Sequence, residues 1–168
     1  MNALIVYESG FGNTAKIAQA IGEGLTTKLG STGHVEVRAV ADVEAVDMAN
    51  VDMLVVGSAT RGFRAMPVTK ALLKGLSAKG LNNVKVAAFD TRFTEEKIRT
   101  SGWLLNTMVK LFGYAAKPIA AALVKKGGVL AATPVGFYVD DIEGPLLAGE
   151  ETRAAEWASQ LVSGPVPA

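Results

Sequence analysis

Between residues 9 and 14 the chain reads Ser9-Gly10-Phe11-Gly12-Asn13-Thr14, a run whose residue types suit the capture of an anion. Two glycines let the backbone wrap without a Cβ in the way. Ser9, Asn13 and Thr14 add side-chain donors. Such a run holds phosphate when it opens a helix, because the first helical amides lack intrahelical partners and the macrodipole adds partial positive charge there. The flanking sequence provides that setting. Ala3-Leu4-Ile5-Val6-Tyr7 is a short apolar run of the kind found in a central parallel strand. Ile17, Ala18, Ile21 and Leu25 then recur at helical spacing. Strand, glycine turn and helix start together make a phosphate cradle.

Three phosphate sites compete for this pattern. A nucleotide-hydrolysing P-loop needs a Lys before the closing Thr14 and a different glycine spacing. A dinucleotide fingerprint fits Gly10-x-Gly12-x-x-Ala15, but it wants an acidic residue ending the second strand. Asp42, the nearest candidate, comes after that strand. The third fits better: residues 9–14 resemble the FMN-phosphate loop of flavodoxins, usually Ser/Thr-x-Thr-Gly-Asn-Thr directly after the first strand. Phe11 departs from it, standing where many flavodoxins carry a hydroxyl; a bulky residue there is familiar from flavodoxin-like quinone reductases. A plain glycine turn with a capping Ser or Asn is the simplest alternative.

Composition narrows the chemistry. The chain has 168 residues, 49% hydrophobic and 20% charged, enough for one well-formed core. Its net charge of +1 gives neither a nucleic-acid stripe nor an acidic tail, and it departs from the strong acidity of ordinary flavodoxins. No cysteine is present, which excludes disulfides, thiolate-held metals and cysteine nucleophiles, and favours a cytoplasmic setting. No stretch reads as a signal peptide or a transmembrane helix, so membrane insertion is not expected. The single histidine, His34, falls at a turn and reads as a solvated residue, which leaves no Ser–His–Asp arrangement. Asp140, Asp141 and Glu143 read as a solvated loop and not as a metal site.

Strands and helices alternate along the whole chain. Strands are expected at 34–40 (an edge, from its alternation), 52–58, 84–89 and 128–133, with helices at 13–29, 68–76 and 150–161 and a helical turn at 42–49. Residues 1–162 then form one domain and 163–168, with two prolines, a frayed tail. Five strands with helical crossovers predict an α/β doubly wound parallel sheet, flavodoxin-like, of order 2-1-3-4-5. Its ligand site lies beyond the carboxyl ends of the strands, where the winding reverses. Three loops, 8–14, 58–66 and 90–94, must converge there. A response-regulator receiver shares this order but needs an Asp ending the third strand, where this chain has Gly57-Ser58.

The resemblance to the flavodoxin-domain family extends over nearly the whole chain. Gly57-Ser58-x-Thr60 matches the family's loop after the third strand, and Phe89-Asp90-Thr91-Arg92 the loop after the fourth in a bacterial branch. Phe137-x-Val139 with Glu143-Gly144-Pro145-Leu146 matches that branch's C-terminal signature. The resemblance implies FMN as cofactor, its phosphate on Ser9, Gly10, Phe11, Gly12, Asn13 and Thr14. It implies Ala59, Thr60, Arg61, Gly62 and Phe63 along one side of the isoalloxazine, and Asp90, Thr91, Arg92 and Phe93 along the other. The usual Trp and Tyr of those loops are absent.

The connection from Asp90 to Gly127 exceeds an ordinary crossover. Lys117 to Lys126 reads as the crossover helix with Pro118 in its first turn. The remaining residues, 94–114, carry Trp103, Leu104, Leu105, Met108, Val109, Leu111 and Phe112 on an apolar helix. That helix is either a lid over the crevice, a homodimer surface, or extra packing on the sheet. The expected function is electron transfer by an FMN-binding flavodoxin-like protein working with a redox partner protein. Two alternatives stand beside it. One is an NAD(P)H-dependent quinone reductase, favoured by Phe11 and by Arg61, Arg64 and Arg92. The other is a flavin-free interaction module on the same fold.

Overall fold

In the computed structural model, which describes residues 1–44, 48, 50–62, 64–103, 107 and 113–164, the first strand sorts its side chains by alternation. Strand β1 (Asn2–Glu8) sends Ala3 and Ile5 to one side of the sheet and Leu4 and Val6 to the other. Every one of these four is buried, as the apolar run requires of a strand covered on both faces. Helix α1 (Asn13–Leu29) follows and closes at Gly30, whose φ of 57° lets its amide turn back to Thr26 O.

Strand β2 (His34–Ala39) pairs with β1 and no residue of it is fully buried, the signature of a sheet edge. Strand β3 (Met53–Ala59) lies on the other side of β1, in register from Ala3 with Met53 to Glu8 with Ser58. Helix α2 (Pro67–Gly75) opens on the proline, and β4 (Lys85–Arg92) pairs with β3. Next come α3 (Glu95–Thr100), α4 (Ala116–Lys125), β5 (Val129–Leu130), β6 (Val135–Tyr138) and α5 (Glu150–Ser163). All pairings are parallel and the order is β2-β1-β3-β4-β5, the doubly wound arrangement expected.

The fifth position is divided. β5 meets the start of β4 and β6 meets its end, from Phe89 with Val135 to Arg92 with Tyr138. The strand expected at 128–133 thus stops early and resumes beyond Pro134, which has no amide to give to a ladder. Of the turn expected at 42–49, residues 45–47 and 49 lie outside the described residues.

Helices α1 and α5 cover one face, α2 and α4 the other. On the first, Phe89, Phe137 and Trp157 pack edge to face with centroids 6.1 and 6.3 Å apart. Gly57 makes room for them, since a Cβ there would meet the Phe89 ring at 2.0 Å. The C-terminal helix is pinned by Lys85, a buried residue whose Nζ donates to Val162 O (3.0 Å) and Gly164 O (3.1 Å). Of the residues expected in the tail, Ser163 ends α5 and Gly164 is tied to the body by Lys85; 165–168 lie outside the described residues.

The 94–114 stretch opens with α3, where Thr94 Oγ1 accepts the amide of Lys97. Trp103 is 79% exposed, and Thr107 Oγ1 donates to its carbonyl. Leu104, Leu105, Met108, Val109, Leu111 and Phe112, which carried the expectation of an apolar helix, lie outside the described residues.

Candidate functional site

Because α1 turns to one face of the sheet and α2 to the other, the loops after β1 and β3 part and leave a crevice at their carboxyl ends. A cleft of about 420 Å³ occupies it. Its first wall is the α1 start. Gly12 is the N-cap at φ 87°, no side chain caps the helix, and no acidic residue occupies its first turn. Ser9 Oγ points into the same region, buried and without a hydrogen-bond partner. Among the described residues, an uncapped helix start and an orphaned hydroxyl meet here, a setting suited to an anion.

Two donors expected of this loop are engaged elsewhere. Asn13 Nδ2 donates to Glu143 O at 3.0 Å, tying the cradle to the 140–145 loop. The Thr14 hydroxyl lies 2.8 Å from that of Thr91 in a buried contact. Either atom can donate, so Thr14 keeps its own proton free for an anion whenever it accepts from Thr91.

The second wall is the loop after β3. Thr60 N donates to Thr91 O at 3.0 Å, and Arg61 and Arg64 exchange amide–carbonyl bonds across a tight turn containing Gly62 at φ 52°. The third wall ends β4. There Asp90, fully buried, accepts from Arg92 Nε at 2.5 Å and Nη2 at 2.8 Å, and from Ala116 N at 2.7 Å. Burial pushes its carboxyl above the usual carboxylate range, against the opposing pull of the Arg92 guanidinium and the bonds from Ala116 and Thr60. The guanidinium lies over the Tyr114 ring, 3.8 Å from its centroid. Gly136 leaves it that space, as a Cβ there would stand 2.1 Å from Arg92 Nε.

The cleft brings together Ser9, Gly10, Phe11, Asn13, Thr14, Ala59, Thr60, Arg61, Gly62, Thr91, Arg92 and Phe93. Two expected residues are not in the lining: Gly12 is the N-cap of α1, and Asp90 is fully buried as the partner of Arg92. Phe63 lies outside the described residues. Val139 and Ile142 also line the cleft and were not anticipated as site residues. Val139 belongs to the C-terminal Phe137-x-Val139 signature, a signal that could have found it. Ile142 sits in an acidic stretch that reads as solvated loop, and at 67% exposure it is an apolar side chain left at the cleft mouth.

A doubly wound sheet with a glycine-wrapped helix start at its switch point is an architecture suited to binding a mononucleotide. The profile of the flavodoxin family matches residues 5–92, just over half of the 168, and the chain belongs to that family. It is a flavodoxin-like electron-transfer protein, and the family implies a flavin, typically FMN. Flavodoxins act with redox partner proteins.

No curated protein sequence matches the chain. Solved structures do. Flavodoxin 1 of Bacillus cereus superposes with a TM-score of 0.75 at 14% identity, over 97% of this chain and 98% of that one. A flavodoxin from the Archaea gives 0.71 at 20% identity, over 97% of each chain. A WrbA-like flavodoxin from Agrobacterium tumefaciens gives 0.68 at 16%, over 96% and 95%. These identities speak for the fold alone. Among the described residues no helix is long and apolar enough to cross a membrane.

Proposed function

We propose that the cleft binds FMN non-covalently and that the protein carries electrons between partner proteins in the cytoplasm. The observation that carries this reading is Ser9 Oγ, a buried hydroxyl without a partner beside uncapped helix amides. A terminal monophosphate is the group that answers both. FMN ends in one; the phosphates of FAD are buried within the molecule.

Bound there, the flavin supplies electron transfer in one- or two-electron steps. The protein's part is to hold and to tune. Ser9, Gly10, Phe11, Gly12, Asn13 and Thr14 shape the phosphate end, Asn13 by anchoring the loop to Glu143 O. Ala59, Thr60 and Gly62 form one side of the ring site, with Arg61 on the same loop, and Thr91, Arg92 and Phe93 the other. Asp90 orients Arg92 and caps α4 through Ala116 N, so the charge beside the ring site stays in one place. Val139 and Ile142 contribute apolar surface that excludes water.

The test is cofactor identity. Purified protein is expected to show a flavin spectrum, and the pigment released by denaturation to run as FMN on chromatography. Dominant FAD, or no flavin taken up from added FMN, would overturn the reading.

A further inference from the structure

Phe11 raises a problem of chemistry that the structure also answers. A hydroxyl at that position would donate a hydrogen bond into the cradle, and a phenyl ring cannot. Yet Phe11 is 46% exposed and carries the guanidinium of Arg61 on its face, Cζ lying 5.0 Å from the ring centroid. Arg61 reaches this place from the loop after β3, crossing the cleft to the loop after β1. Its Nη2 would stand 2.8 Å and its Cζ 3.3 Å from a Cβ at Gly10, so the arm lies against the loop and a larger residue there would displace it.

The arm is built from a fixed base. Reciprocal bonds between Arg61 and Arg64 close the turn it grows from, at 3.0 and 3.1 Å. Among the described residues no carboxylate pairs with it. The cleft's other cation, Arg92, is held in two bonds by Asp90. Arg61 is thus the charge at the cleft with its donors uncommitted, and stacking on Phe11 holds it in place with less loss of freedom on binding.

We propose that Arg61 is a phosphate-binding arm, its guanidinium supplying at the cradle the donors and the positive charge that residue 11 does not. This rests on the flavin reading above and deepens it: Arg61, taken from its loop as a residue of the ring side, acts on the phosphate. Phe11 and Arg61 work as a pair, the ring as platform and the guanidinium as ligand. The ligand chemistry is a monophosphate dianion.

Flavin-free protein titrated with FMN and with riboflavin tests the proposal, with Arg61→Gln, Phe11→Ser and the double variant beside the wild type. Arg61→Gln is expected to weaken FMN binding on the order of tenfold to a hundredfold while riboflavin changes by less than about twofold. FMN affinity of the wild type is expected to fall more steeply with salt than that of Arg61→Gln. In the Phe11→Ser background the loss on Arg61→Gln is expected to shrink, because the serine hydroxyl supplies a donor. Equal losses for FMN and riboflavin, or none, would overturn the phosphate role of Arg61 and leave the flavin reading standing. A wild type that binds riboflavin as tightly as FMN would overturn both. An undiminished loss in the Phe11→Ser background would overturn the pairing with Phe11.

Discussion

Thr14 and Thr91 join the start of α1 to the end of β4, their hydroxyls 2.8 Å apart and both residues almost wholly buried. Both line the cleft, one on the loop after β1 and the other at the end of β4, so in the proposed site the phosphate end and the ring end share a hydrogen bond.

Replacing either with Val leaves the other hydroxyl buried and unpartnered, a cost of about 1–3 kcal/mol. Removing both is expected to cost less than the sum of the single variants by about 1 kcal/mol. Urea unfolding of the four proteins measures this coupling. Additive costs would show that the two hydroxyls are not coupled.

The buried Asp90–Arg92 pair predicts a pH dependence. Burial raises the folded pKa of Asp90 above its unfolded value. Its contribution to stability is then fully present below the unfolded value, about 3.9, and is lost as pH rises through the folded one. Arg92→Gln removes the charge that opposes this shift and raises the folded value further. Where Asp90 is ionised, the substitution is expected to cost about 3–5 kcal/mol, since a buried charge is left unpaired. The cost shrinks toward acid, where Asp90 takes up a proton. Urea midpoints across the acid-to-neutral range check the slope; a constant cost would contradict it.

Lys85 holds the last turn of α5 through two carbonyls. Lys85→Met keeps the length of the side chain and loses both bonds. The expected result is a destabilisation of about 1–3 kcal/mol, with hydrogen exchange accelerated first at the end of α5. Unchanged exchange there would mean that packing alone holds the helix.

Asn13 ties the cradle to the 140–145 loop, and Gly144, at φ 106°, lies so close that a Cβ would meet the Asn13 amide at 2.6 Å. Gly144→Ala is expected to cost about 1–3 kcal/mol through the backbone conformation alone. Asn13→Ala is expected to speed proteolysis within residues 140–145 without shifting the global unfolding midpoint by a comparable amount. Equal proteolysis rates in wild type and Asn13→Ala would argue against the tie.

Much of this was legible in the residues themselves. The apolar run at Ala3 to Tyr7, the glycine turn and the helical spacing after it are local patterns, and local patterns determine local structure. Alternating strands and helices then leave few topologies, because crossovers between parallel strands keep one hand. The three loops that meet in the cleft follow from that topology.

What only the tertiary structure decided concerns partners distant along the chain. Asn13 and Thr14 carry donors in the sequence, but whether these face a ligand or a neighbour depends on Glu143 and Thr91, brought near by the packed sheet. Asp90 sits in a ligand-facing loop by sequence and beneath it in space, because Arg92 and the start of α4 claim its carboxylate. Arg61 belongs to the ring side by sequence, and its long side chain crosses to the phosphate loop because Gly10 leaves space and Phe11 offers a face. Side-chain reach and burial are properties of the assembled core, and no spacing of residue types encodes them alone.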